Sequence, residues 1–125
     1  MERKVLLVDD EPFIRSVIKR FLRQEENLVF LEAGNGQEAL EMIHSGGIDV
    51  VILDVMMPVM TGVEVLEALE AEGNNTPVIV VTGGITDANI NKRLEDLIRR
   101  GRTVKLEKPF DNAKIRELVR AITSK

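Results

Sequence analysis

A three-layer α/β sandwich with about five parallel strands is the fold class this sequence predicts. Two observations predict it. Continuous apolar runs, rich in Val, Ile and Leu, stand at 5–8, 50–53 and 78–81. They lack polar alternation, which is how strands buried on both faces read. Between the runs, apolar residues return with helical period. Parallel strands need crossover connections, and right-handed crossovers place helices on both sheet faces.

The elements follow in order. The first strand, 5–8, is followed by Phe13/Ile14, Val17/Ile18 and Phe21/Leu22, an apolar pair every four residues, with Pro12 suited to the first turn. A weaker run, 28–33, predicts an edge strand. Asn35 is a plausible cap for a short helix with its stripe at Ala39, Leu40 and Ile43. After the run at 50–53, Val63, Leu66 and Leu69 mark a third helix. After 78–81, Thr86 or Asp87 caps a helix striped by Ile90, Leu94, Leu97 and Ile98. The weak run 104–106 predicts the other edge strand. Asp111 then caps a helix carrying Ile115, Leu118, Val119 and Ile122.

Composition removes several function classes. The 125 residues fit one domain, 1–125, with no linker, repeat or output segment. At 44% hydrophobic and 30% charged, the chain is too apolar for disorder and too charged for a membrane protein. The N-terminal apolar run is too short for a signal peptide. With 17 Lys+Arg against 21 Asp+Glu, the net charge of −4 argues against nucleic acid as a partner. Cys is 0 and His is 1, which excludes disulfides, thiolate nucleophiles, zinc–thiolate sites and multi-histidine metal sites. A cysteine-free chain suits a cytoplasmic location. Tyr and Trp are both 0, and the aromatics are Phe13, Phe21, Phe30 and Phe110.

The chemistry lies in what ends each apolar run. The first ends in Asp9-Asp10, the third in Asp54, the fourth in Thr82-Gly83-Gly84 and the fifth in Lys108-Pro109. In a parallel sheet these ends share one edge, where open α/β sheets place their sites. Each feature alone has an ordinary structural explanation: acids favour a helix N-terminus, Thr is common in strands, and Lys-Pro makes a turn. Together, in this order, they describe a pocket. Two unit charges ~4 Å apart repel by about 4 kcal/mol at an effective dielectric near 20. Three carboxylates must therefore share protons, pair with cations or hold a metal ion. Lys108 offsets one charge. An all-oxygen site with two remaining charges selects a hard divalent cation, Mg²⁺ or Mn²⁺.

These residues resemble the receiver domain of two-component response regulators. The resemblance runs from Lys4 to Thr123 and rests on Val8-Asp9-Asp10-Glu11-Pro12, on Leu53-Asp54-Val55-Met56-Met57-Pro58-Val59-Met60-Thr61-Gly62, on Val81-Thr82-Gly83 and on Lys108-Pro109-Phe110. It implies a flavodoxin-like (βα)5 sandwich with strand order 2-1-3-4-5. It also implies that Asp54 is the phosphoacceptor, served by the phosphohistidine of a sensor histidine kinase or a phosphotransfer protein. Asp9, Asp10, Asp54 and the main-chain carbonyl of Met56 are implied as Mg²⁺ ligands. Lys108 is implied as the phosphoryl contact, Thr82 as the switch hydroxyl, and the bond before Pro109 as cis. The implied protein is a switch, not a turnover enzyme. It signals to an output domain or partner, with a homodimer through the fourth helix, fifth strand and fifth helix as one form.

Three features depart from the family pattern. Lys105 stands where receivers carry the Tyr or Phe that moves inward with the switch Thr, and a cation enters an apolar pocket at high cost. Gly101-Arg102 replaces the usual Gly-Ala. With Arg99, Arg100 and Lys105 it forms a basic cluster, read either as a solvated helix end or as a surface for an acidic partner or dimer. Two residues beyond Asp54 and Thr82 stand Met56 and Gly84, neither able to orient an attacking water, so slow self-hydrolysis of an acyl phosphate is expected. A receiver-like binding module that works without phosphorylation is the alternative. A flavin carrier or haloacid-type phosphatase fits less well, because Asp9-Asp10-Glu11 repels phosphate and Asp-x-Asp is absent.

Overall fold

The structure is a computed structural model and describes residues 2–123. They form five strands and five helices in strict alternation: β1 (Arg3–Val8), α1 (Pro12–Leu22), β2 (Leu28–Ala33), α2 (Gly36–His44), β3 (Val50–Asp54), α3 (Gly62–Ala71), β4 (Val78–Thr82), α4 (Ala88–Arg99), β5 (Val104–Glu107) and α5 (Asn112–Thr123). All strand pairings are parallel, and the sheet order is β2-β1-β3-β4-β5. The two weak apolar runs are the edges, where one side of the strand meets solvent. No helix among the described residues is long and apolar enough to cross a membrane.

Alternation along the strands splits the core in two. Leu6, Val8, Val51, Leu53 and Val80 face α2, α3 and α4, where they meet Leu40, Leu66, Leu94 and Leu97. Val5, Leu7, Ile52, Ile79 and Val81 face α1 and α5, where they meet Ile18, Leu22, Ile115 and Val119. β1, β3 and β4 are thus apolar on both sides, which is why their runs are continuous. Phe21 packs edge-on against Phe110, with centroids 6.0 Å apart, and ties α1 to the loop after β5.

Helix ends follow local chemistry. Pro12 opens α1 without a side-chain cap. Asn35 and Asp87 cap α2 and α4, and Asp111 accepts from the Lys114 N–H at 2.9 Å. A reciprocal capping box, Thr61 with Glu64, starts α3. His44 lies on the surface, 2.8 Å from a Glu72 oxygen.

One long-range ion cluster joins the ends of the α1–α5 layer. Glu25, in the turn after α1, accepts from Arg116 Nε and from Arg120 Nε and Nη2, each at 2.9 Å. The two guanidiniums hold its carboxyl down at about 2. A depressed carboxyl stabilises the fold above its unfolded pKa, near 4.5, and loses that stabilisation as pH falls toward the folded value. Allowing for the solvent around Arg120, the cluster contributes about 1–2 kcal/mol. Glu25→Gln is therefore expected to lower the melting temperature by a few degrees at neutral pH. Thermal melts should show the gap narrowing as pH falls from about 4.5 toward 2.

Candidate functional site

Register decides which residues meet. Val8 pairs with Leu53, so the residue after β1 and the last residue of β3 stand side by side. Asp54 pairs with Val81, and Thr82 with Glu107, which sets Thr82 and Lys108 along the same edge. The sheet's carboxyl edge thus gathers Asp9, Asp10, Asp54, Thr82 and Lys108. Carboxylate oxygens of Asp9, Asp10 and Asp54 all lie within 4.8 Å of one another.

The three acids differ in surroundings. Asp9 is buried, and its Oδ1 accepts from the Glu11 N–H at 2.9 Å. Its main-chain oxygen accepts from Arg15 Nη1 at 2.5 Å, while Arg15 Nε holds Glu32 at 2.8 Å. Burial raises the Asp9 carboxyl, against the Glu11 N–H and the charge of Lys108. Asp10 is exposed. Asp54 is half-buried and pushed up to about 6, first by burial and then by Asp9, with Lys108 and the Met56 N–H opposing.

The β3–α3 loop is held by one close approach. A Cβ on Gly62 would sit 2.5 Å from the Asp54 carbonyl oxygen and 2.9 Å from Val55 Cα. Only glycine lets α3 start this near β3, and its N–H donates to the Val55 carbonyl at 2.8 Å. Between them Val59 takes φ 72° and is 99% exposed. With Phe13 and Met56 it gives the pocket's surroundings an apolar surface.

Thr82 is buried, and its hydroxyl receives only a long bond, 3.4 Å, from the Gly84 N–H. Its carbonyl accepts from the Lys108 N–H at 2.8 Å. The Lys108 stem packs over Gly83, where a Cβ would come within 3.3 Å. The Lys108–Pro109 peptide bond is cis. Lys105 lies on β5, away from this edge, with Nζ 3.3 Å from Glu95 Oε1 on α4.

The basic cluster is largely consumed inside the molecule. Arg100 forks onto Glu70 at 2.7 and 2.9 Å, Arg99 pairs with Asp96 at 3.0 Å, and Arg102 bonds Asn75 and the Asn74 carbonyl. An acidic-partner surface there would have to displace these bonds. Sequence reasoning missed Arg15 and the constraint on Gly62. Gly62 sat in the motif, but its role needs the β3–α3 packing to be seen.

The family model for the response regulator receiver domain matches residues 5–120. The chain belongs to that family. Phosphorylation-dependent signalling is the family's general function, and its members are not in general turnover enzymes. The transcriptional regulatory protein SrrA of Staphylococcus aureus is 37% identical over 89 residues, covering 71% of this chain and 36% of that protein. The chain thus spans about a third of the length of such curated relatives. The Francisella response regulator 1452 receiver domain is 30% identical with a TM-score of 0.81, covering 98% of each chain. The receiver domain of the sensor histidine kinase PA1611 from Pseudomonas aeruginosa, described with a magnesium ion in its active-site cleft, has a TM-score of 0.81 at 22% identity over 100% of both chains.

Asp54 carries a testable cost. A carboxyl whose folded pKa is raised favours folding when protonated, and that advantage disappears as pH rises from about 4 through about 6. Without metal, the ionised group then costs roughly 2 kcal/mol. Asp54→Asn is expected to melt several degrees above the parent chain in chelator near pH 7.5, with the gain lost near pH 4. An unchanged or lower melting point at the higher pH would contradict the repulsion argument.

Proposed function

We propose that residues 1–125 form one receiver unit in which Asp54 accepts a phosphoryl group from the phosphohistidine of a sensor histidine kinase or phosphotransfer protein. The observation that carries this reading is the meeting of Asp9, Asp10 and Asp54 within 4.8 Å at the carboxyl edge, beside Lys108 and Thr82. The donor set fits a hard divalent cation: it is all carboxylate, and burial and mutual repulsion already raise the Asp54 carboxyl. Asp9, Asp10, Asp54 and the Met56 carbonyl would hold Mg²⁺, or Mn²⁺ in its place. The magnesium described for the Pseudomonas receiver supports that choice. Such an ion supplies charge neutralisation where two anions must meet.

The chain's own residues do the rest. An Asp54 oxygen attacks phosphorus in line. The phosphorus–nitrogen bond of the donor breaks, and its electron pair stays on the imidazole. Lys108 offsets the charge spread over the phosphoryl oxygens, and positioning supplies most of the rate. Thr82, held by one long bond, is free to donate its hydroxyl to the phosphoryl group. The exposed Phe13, Met56 and Val59 offer a protein donor an apolar contact. The switched surface then signals to an output domain or partner protein. One form of this is a homodimer on the α4–β5–α5 face.

A second reading, a binding module independent of phosphorylation, draws on Lys105, which replaces the inward-moving aromatic. Phosphoramidate with Mg²⁺ separates the two. The proposed function requires a phosphoryl adduct by intact mass that is absent in Asp54→Asn and abolished by chelator; no adduct on the parent chain supports the second reading. Met56 is an apolar side chain and Gly84 has none, so the adduct is expected to decay slowly. Met56→Asn or Gly84→Glu, each able to orient water, should quicken the decay in a mass time course.

A further inference from the structure

The turn that carries two of the three acids is not anchored by the helix it enters. Helix α1 opens on Pro12 without a side-chain cap. One residue of α1 reaches back instead. The Arg15 main-chain N–H donates to the Glu11 carbonyl at 3.3 Å, and Arg15 Nη1 donates to the Asp9 carbonyl at 2.5 Å. That carbonyl lies in the rigid peptide plane joining Asp9 to Asp10. Holding its oxygen fixes how the plane is turned, and with it the directions in which both side chains leave the backbone.

The guanidinium has a second hold. Arg15 Nε donates to Glu32 Oε1 at 2.8 Å, and Lys19, one helical turn on, holds Oε2 at 2.9 Å. Glu32 stands on β2, paired in register with Leu7 of β1. Lys19 and then Arg15 keep its carboxyl below the usual carboxylate range. The Arg15 side chain is only 15% exposed, and a cation that far from water needs a lasting carboxylate partner. A planar guanidinium engaged at both nitrogens has little freedom left to turn. Asp9 is held at two further points, its N–H by the Ala33 carbonyl at 3.2 Å and its Oδ1 by the Glu11 N–H at 2.9 Å.

We propose that Arg15 is the positioning residue of the metal site: anchored by Glu32, it presets the Asp9–Asp10 turn so that both carboxylates meet a divalent cation without rearrangement. The inference rests on Asp9, Asp10 and Asp54 holding Mg²⁺. Groups that orient a ligand from behind commonly set metal affinity by about tenfold or more. Charge acts in the opposite sense. A guanidinium beside the acids repels Mg²⁺, so charge alone predicts tighter binding once it is removed. The sign of the change therefore separates geometry from charge.

A Mg²⁺ titration of the whole chain, followed by the amide chemical shifts of Asp10 and Glu11, tests this. In Arg15→Met, which keeps the stem and loses the donors, the dissociation constant is expected to rise about tenfold. Arg15→Lys keeps the charge but ends one atom short of Nη1, and its affinity should fall between. Glu25→Gln, which weakens the same helix layer elsewhere, should bind Mg²⁺ like the parent chain, so that lost affinity is not a by-product of lost stability. Parent-like or tighter binding in Arg15→Met would overturn the inference, as would an equal loss in Glu25→Gln. Should Arg15→Met not fold, parent-like binding in Arg15→Lys overturns it. No Mg²⁺ binding by the parent chain would overturn the metal reading itself, and this inference with it.

Discussion

Three carboxylates held within 4.8 Å by a parallel sheet are the constraint on which the rest of this molecule depends. Register leaves them no escape, because Val8 and Leu53 are paired and fully packed directly behind Asp9 and Asp54. The chain offsets the repulsion only in part. Lys108 leans on two of the acids, and the backbone N–H groups of Glu11 and Met56 donate to Asp9 and Asp54. Burial, with the repulsion that remains, leaves an elevated Asp54 carboxyl. A site so poised favours any ligand that brings positive charge or consumes negative charge there.

The surroundings make that arrangement possible. Gly62 lets α3 begin against the last residue of β3, so the loop after Asp54 is short and turns sharply. Arg15 ties the Asp9 backbone to Glu32 on the neighbouring strand, fixing the turn after β1. These contacts fix where the acids of the carboxyl edge stand relative to one another.

Much of this was legible in the sequence, for a physical reason. A strand buried on both faces must end where polarity begins, so Asp9, Asp54 and Thr82 declared themselves by ending apolar runs, while Lys108, beyond Glu107 on an edge strand, was marked by the Lys-Pro pair. The edge strands were weaker because one side of each meets solvent. What stayed hidden depends on side chains distant in sequence. Nothing local announces that Arg100 will reach Glu70, that Lys105 will meet Glu95, or that Arg116 and Arg120 will enclose Glu25. The basic cluster around Arg102 read as available charge, and the fold spends most of it on neighbours.

The division of the core by the sheet has a consequence for how this chain tolerates change. Ile18 and Ile115 lie in one apolar layer, and Leu66 and Leu94 in the other, with a full thickness of backbone between them. Sites so separated share no packing partners, and their energetic effects sum almost independently. The α1–α5 layer can therefore accept substitutions without disturbing the packing of the α3–α4 layer. Changes on the two sides of the sheet can accumulate independently in one fold.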